Sequence, residues 1–264
     1  MNRLPFLRRL RDRTNGVPVR PASAELFTGL CNICGSTAGF HHPPVNVPRE
    51  SYHCLTCGST SRDRMLIKML GHCLGQPEPL EAWPPQNKVL LETSGYRATP
   101  SRLAGRFSYI NLVFESLAEH CVKGDLSQLG LRDESLDVLL TSDVFEHVRE
   151  DEPAWREVYR VLKPGGFLVL QVPRIGEQET TEVRVEVRDG VDMHLMEPEY
   201  HAEMTLVYRN YGNDLYQRLQ ALGFAVLAYR GSAPEHRISE QTIAVAQKAP
   251  YLSFGPADLS DRSW

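Results

Sequence analysis

From about Asn87 onward the chain alternates short apolar runs with amphipathic ones. KVLLE (88–92), SYINLVF (108–114), LDVLLTS (136–142) and FLVLQVP (167–173) each have strand length and strand composition. They are apolar almost throughout, as strands covered on both faces are. Between them, DEPAWREVYRVL (151–162) places Ala154, Val158 and Val161 on one stripe and stops at KPGG, where proline and glycine end a helix. NDLYQRLQALGF (213–224) predicts a second helix, ending at Gly223. FAVLAYR and QTIAVAQ then predict two strands that can pair antiparallel. The alternation predicts an α/β fold: a mostly parallel sheet between helices, finished by an antiparallel edge.

The first third reads differently. Residues 1–24 carry proline and arginine without apolar periodicity and are expected to be a solvated tail. STSRDRMLIKMLGHCL predicts a helix with Met65, Leu66, Met69 and Leu70 on one face, capped by Ser59 or Ser61. GQPEPLEAWPPQN is too rich in proline for a helix. The expected layout is a tail (1–24), a metal-binding module with its following helix (25–75), a linker (76–86) and a larger domain (87–264).

The module rests on its cysteines. Cys31, Cys34, Cys54 and Cys57 form C-x2-C-x19-C-x2-C, with a glycine after each pair. Thiolates two residues apart can grip one tetrahedral ion, and glycine gives the turn its freedom. This spacing predicts a structural zinc ion. With four thiols as ligands no vertex is left for water, so the metal is not expected to catalyse. Cys73 and Cys121 stand alone and are expected to be small buried hydrophobes.

Composition excludes some classes. With 264 residues, 42% hydrophobic and 23% charged, the chain has the make-up of a globular protein. Net charge is −4, which gives no general pull toward nucleic acid. Arg62, Arg64 and Lys68 could make a small basic patch, or clamp a phosphate or carboxylate. The basic N-terminus lacks the apolar core and cleavage site of a secretory signal, so a cytoplasmic location is expected, with no membrane span.

The blocks GDLSQLGLRDESLDVLLTSDVFEHV and EVYRVLKPGGFLVLQVP, in this order and separation, resemble the class I S-adenosylmethionine-dependent methyltransferases, especially the small-molecule group. MEPEYHAEMTLVYRNYGNDLYQRLQALGF resembles the matching segment of bacterial proteins that join a four-cysteine zinc module to this fold. The resemblance implies a Rossmann-like sheet with the cofactor at the carboxyl ends of its strands. It implies Glu92 for the methionine ammonium, Gly95 for close backbone approach, Asp125 for the adenine amino group and Leu126 for the ring face. Ser142 and Asp143 would face the transferred methyl.

This chain departs from the family at two points. ETSGYR has only Gly95 where the family carries an acid-x-Gly-x-Gly turn, and the second strand offers Asn111 or Glu115 for the ribose, Glu115 being favoured. The segment from about 175 to 213 is long for a connection and is expected to be a partly helical cover over the acceptor. It holds His194, Tyr200 and His201; His201 is the expected general base, with Tyr200 and His147 as further candidates. Met193, Met196 and Met204 could line an apolar acceptor pocket. The function implied is methylation of a small-molecule oxygen, nitrogen or carboxylate. The damaged glycine turn keeps open a non-catalytic binding protein on a degenerate scaffold, and a bound sulfonium could also serve cyclisation.

Overall fold

Three two-residue strands, β1 (Leu26–Phe27), β2 (Phe40–His41) and β3 (His53–Cys54), pair antiparallel in that order. They begin the described part of this computed structural model, which covers residues 26–37, 39–42, 48–114, 121–201 and 205–249. The expectations placed on 1–24, Glu115 and Met204 therefore lie outside the described residues.

Helix α1 (Ser61–Leu74) follows. Its cap is Thr60 rather than either neighbouring serine, because Asp63 three residues on can reciprocate. Asp63 N donates to the Thr60 hydroxyl at 3.3 Å, and Thr60 N donates to the Asp63 carboxylate at 2.9 Å. Gly75, left-handed at φ 64°, ends the helix.

The proline-rich stretch after it is strapped down. Leu80 N donates to Asn32 O at 2.8 Å and Glu81 N to Ile33 O at 3.0 Å. Leu80 and Trp83 are both buried. Proline allows only a single 3-10 turn here, Leu80–Ala82, whose first amides bind the first cysteine turn.

Then come β4 (Val89–Thr93), α2 (Pro100–Ala104), β5 (Ser108–Val113), β6 (Val122–Lys123), β7 (Leu136–Ser142), α3 (Asp151–Val161) and β8 (Leu162–Gln171). After the 175–213 segment come α4 (Asp214–Ala221), β15 (Phe224–Ala233) and β16 (Ile238–Lys248), the numbers between being the short strands below. The sheet has seven strands in the order β15-β16-β8-β7-β4-β5-β6. β6, β5, β4, β7 and β8 are parallel, while β16 is antiparallel to both β8 and β15. This is the Rossmann-like sheet with an antiparallel edge that the alternation predicts.

Side chains that alternate along these strands divide between two cores. Leu90, Val138, Leu140, Val169, Ile243 and Val245 join Met65, Leu66 and Leu70 of α1, Phe40 of β2 and Cys31 of the first cysteine turn. On the opposite face Leu91, Leu139, Leu168, Leu170 and Ala244 meet Trp155 and Val158 of α3 and Leu215 of α4. The cysteine-bearing segment thus shares a core with the sheet.

The expected partly helical cover is instead a set of short antiparallel pairs. β10 (Val185–Arg188) pairs β11 (Val191–His194), β12 (Tyr200–His201) pairs β13 (Thr205–Leu206), and β14 (Arg209–Asn210) pairs β9 (Glu182–Val183). Asp189 and Gly190 turn the first hairpin with φ of 51° and 77°, the geometry of a type I′ turn.

Candidate active site

Strand order runs outward in opposite directions from the adjacent pair β4 and β7, and such a reversal opens a crevice beyond the carboxyl ends of the strands. A cavity of about 360 Å³ lies there. The sheet gives it Glu92, Thr93, Leu140 and Ser142, and the loop after β4 gives it Ser94, Gly95, Tyr96 and Arg97. Its other wall is N-terminal: Glu50, His53, Thr60, Arg62, Asp63 and Leu66. The resemblance gives no hint of that wall.

Glu92 ends β4 as a buried carboxylate that accepts from Thr99 Oγ1 at 2.7 Å and from the Tyr109 hydroxyl. Burial outweighs both hydrogen bonds and pushes its carboxyl up to about 7. The loop beyond it is bent without the family's extra glycines: Ser94 and Arg97 take left-handed φ of 53° and 56°. A Cβ at Gly95 would meet the Glu92 carboxylate and the Tyr109 hydroxyl, so a larger residue there would have to displace both side chains. Asn111 pins this loop. Its side chain accepts from Gly95 N at 2.9 Å and donates to Gly95 O at 3.0 Å, so its amide is committed to the turn.

At the mouth of β7, Ser142 Oγ and Thr93 Oγ1 are buried without hydrogen-bond partners. Asp143, left-handed at φ 52°, is gripped from the N-terminal wall. Arg49 donates to one of its oxygens at 2.5 Å and Arg62 to the other. Arg62 also pairs with Glu50 at 3.0 Å. Arg62 therefore neutralises a carboxylate of the site. Arg64, which the sequence offered as a clamp, is wholly buried and structural. Its guanidinium donates to the carbonyls of Ser59, Tyr52, His236 and Arg237 at 2.6–2.8 Å. Lys68 is paired with Glu78. The expected basic patch is spent on internal contacts.

Beyond Asp143, three donors converge. His201 Nδ1 lies 3.2 Å from His147 Nε2, and Glu146 Oε1 lies 3.6 Å from the latter and 3.7 Å from the former. Glu146 is 1% exposed, and among the described residues neither of its oxygens has a hydrogen-bond partner. Burial, reinforced by the negative charge of Asp143, pushes its carboxyl up to about 8. Burial also lowers His147, while its Nδ1–H donates to Leu206 O at 2.8 Å. Tyr200, adjacent to His201 on β12, is 54% exposed, as strand alternation requires of neighbours. His194, Met193 and Met196 are exposed, so these methionines line no enclosed pocket.

Asp125 and Leu126 are not among the residues lining the cavity. Asp125 is exposed, and one of its oxygens accepts from Ser127 N and Ser127 Oγ, both at 2.8 Å. Leu126 is buried in the core under α3.

The four cysteines form a second cluster. Cys31 and Cys57 sulfurs are 3.8 Å apart, as are those of Cys34 and Cys54. A tetrahedral zinc ion with Zn–S bonds of about 2.3 Å sets its sulfurs about 3.8 Å apart. The two turns are copies: Gly35 N and Gly58 N each donate to the first cysteine's carbonyl at 2.8 Å, with left-handed φ of 70° and 74°. The three neighbouring cysteines hold the Cys31 thiol well below the usual thiol range. Arg64 lies close enough to balance part of the thiolates' charge.

Sequence reasoning missed Arg49, Glu50, Glu146 and Glu199. Arg49 and Glu50 lie beside prolines in a stretch without period. Glu146 stands in the quoted block TSDVFEHV, where its acid between phenylalanine and histidine was the available signal.

The profile of the family described as Methyltransferase domain matches residues 106–170. No curated protein matches the sequence. Among solved structures, the chain is similar to the Burkholderia thailandensis 1,6-didemethyltoxoflavin-N1-methyltransferase with bound 1,6-didemethyltoxoflavin and S-adenosylhomocysteine. That likeness has 16% identity and TM-score 0.46, covering 70% of this chain and 77% of that one. An S-adenosylmethionine-dependent methyltransferase from Mesorhizobium loti is similar at 14% identity and TM-score 0.46, covering 72% of this chain and 99% of that one. The profile match thus places the likeness of a methyltransferase domain on residues 106–170, within a sheet whose strand order is Rossmann-like.

Proposed function

We propose that this enzyme methylates a small molecule at an oxygen, nitrogen or carboxylate, and that its four cysteines hold a structural zinc ion. The observation that carries the reading is the cavity at the reversal of strand order, which joins a buried carboxylate, Glu92, to unpartnered hydroxyls on Thr93 and Ser142. This donor set fits a ligand with an ammonium group and polar edges: the ionised carboxylate accepts from the cation, and the hydroxyls await a partner. S-adenosylmethionine, when bound, supplies a methyl group already activated on a sulfonium.

The chain's own residues do the rest. Glu92 and the Gly95 turn, pinned by Asn111, hold the amino-acid end. Arg49 and Arg62 cancel the charge of Asp143 at the reacting end and wall it from water. Glu146, His147 and His201 form the group that manages the acceptor's proton, next to Asp143. Positioning the acceptor against an activated donor supplies much of the rate. Asp125, with one oxygen free of its turn, remains the proposed adenine contact, and Leu126 and Glu115 the proposed ring and ribose contacts.

Calorimetry with S-adenosylhomocysteine tests the reading. Micromolar binding to wild type, weakened at least tenfold in Glu92→Ala, is expected. No heat at millimolar ligand would overturn it in favour of a binding protein on a degenerate scaffold.

A further inference from the structure

We infer that Glu146, His147 and His201 form a second metal site, distinct from the cysteine cluster, that binds a divalent transition-metal ion and presents an open vertex to the acceptor.

The separations carry the inference. The three donor atoms stand 3.2, 3.6 and 3.7 Å apart. An ion with tetrahedral bonds of about 2.1 Å to imidazole nitrogen and carboxylate oxygen spaces its ligands about 3.4 Å apart. The triangle therefore has the size of one face of such a coordination shell. Two imidazoles and a carboxylate are also the donor set that suits zinc or ferrous iron with positions left open.

The surroundings are built for ligation. A metal-binding imidazole needs its remote nitrogen held by an outer partner, which fixes the tautomer and turns the near lone pair inward. His147 has this in Leu206 O, 2.8 Å from Nδ1. His201 has it in Glu199 Oε1, 3.4 Å from Nε2. Glu199 is itself held, with Arg184 Nε at 3.4 Å and Asn210 Nδ2 at 3.3 Å from its other oxygen. Glu146 supplies the independent sign: a carboxylate 1% exposed, aimed at both rings, with neither oxygen hydrogen-bonded. Leaving such a group without a hydrogen bond in the interior is costly, and a cation at the centre of the triangle removes that cost.

The ligand class follows. His201 is the most open of the three, at 30% side-chain exposure against 14% for His147. The free vertex thus faces outward, toward an acceptor that offers a hydroxyl or carboxylate oxygen. Metal coordination lowers the pKa of such an oxygen, so the ion would do the work that a lone histidine base was expected to do. The inference goes beyond the cofactor reading, since metal binding needs no methyl donor.

The test uses the full-length, zinc-loaded protein and Co2+ as probe, followed by calorimetry and visible absorption. One equivalent of Co2+ should bind with weak ligand-field bands and no thiolate charge-transfer band. Glu146→Gln and His201→Ala should weaken binding at least 100-fold, and Glu199→Gln roughly 10-fold, with zinc content and melting temperature retained. If a variant melts early, the Glu199→Gln result stands alone, because that residue lies outside the proposed ligand set. No binding by wild type, equal binding by all three variants, or a thiolate band would overturn the inference. None of these outcomes bears on S-adenosylhomocysteine binding.

Discussion

Two clusters of metal-type donors sit in this molecule and are put together in opposite ways. The cysteines come as two local turns, each made by its own glycine, brought together by three very short strands. Glu146 and His147 come from the 3-10 turn Phe145–His147 that follows a central strand, and His201 from a strand pair 54 residues later. In the first cluster thiols fill every vertex, and a buried arginine sits against them. In the second, three donors leave one side toward solvent, and among the described residues the carboxylate accepts no side-chain hydrogen bond, its contacts to the two rings being 3.6 and 3.7 Å long. A closed set of donors suits the structural ion proposed for the first cluster, whereas an open set suits the second site inferred above. The variants below should separate the two.

The largest effect is expected at the closed cluster. Cys54→Ser should release the metal and destabilise the protein by on the order of 5 kcal/mol or more, because binding energy there is folding energy. Metal analysis and a thermal melt check it; a metal-free wild type would remove the contrast. Next, Arg64→Leu should cost about 3–5 kcal/mol in chemical denaturation, since it strands four carbonyls, two of them fully buried, and removes the cation beside the thiolates. At the open cluster the order of effects should reverse. His201→Ala should lower turnover by roughly 10²-fold while shifting stability by less than about 1 kcal/mol. A large loss of stability would make the cluster a packing feature.

The smallest effect sharpens the cofactor end. The Glu92 carboxyl is raised to about 7 from its ordinary 4.5, so the folded ligand-free protein holds a proton that the unfolded chain releases earlier. Its contribution to stability is full below 4.5 and is lost as pH rises through about 7. Ligand affinity should move the other way, rising about tenfold between pH 6 and 8 as the carboxylate forms to meet an ammonium group. Glu92→Gln should bind more weakly with no such slope. A parallel slope in both proteins would assign the titration elsewhere.

What could be read from the sequence divides along the same line. The cysteine turns, the apolar strands and the helix over 151–161 are written in neighbouring residues, so period and spacing reach them. Glu92 and Ser142 were legible because a strand's end fixes where its last side chains go. The Asp143 ion pairs were not: their partners Arg49 and Arg62 lie 94 and 81 residues away. The 175–213 segment was misjudged as partly helical because its strands are two to four residues long, too short for alternation to show. The Asp189–Gly190 pair was the usable clue. Glu146 escaped notice since a carboxylate between Phe145 and His147 reads as surface until the hairpin closes over it.

The shared core under α1 bears on how such a protein can be inherited. Val138, Leu140, Val169 and Val245 share one core with Leu66, Leu70 and with Cys31, Phe40 and Cys54 of the leading segment. A shortened chain beginning after Cys57 would keep every sheet strand yet lose part of that cover and Arg49 as well. It would expose an apolar face of the kind that drives aggregation. Exchange of this leading segment between related genes is therefore constrained: a donor that did not match the sheet would yield an insoluble product, and the two parts should pass from ancestor to descendant as one piece.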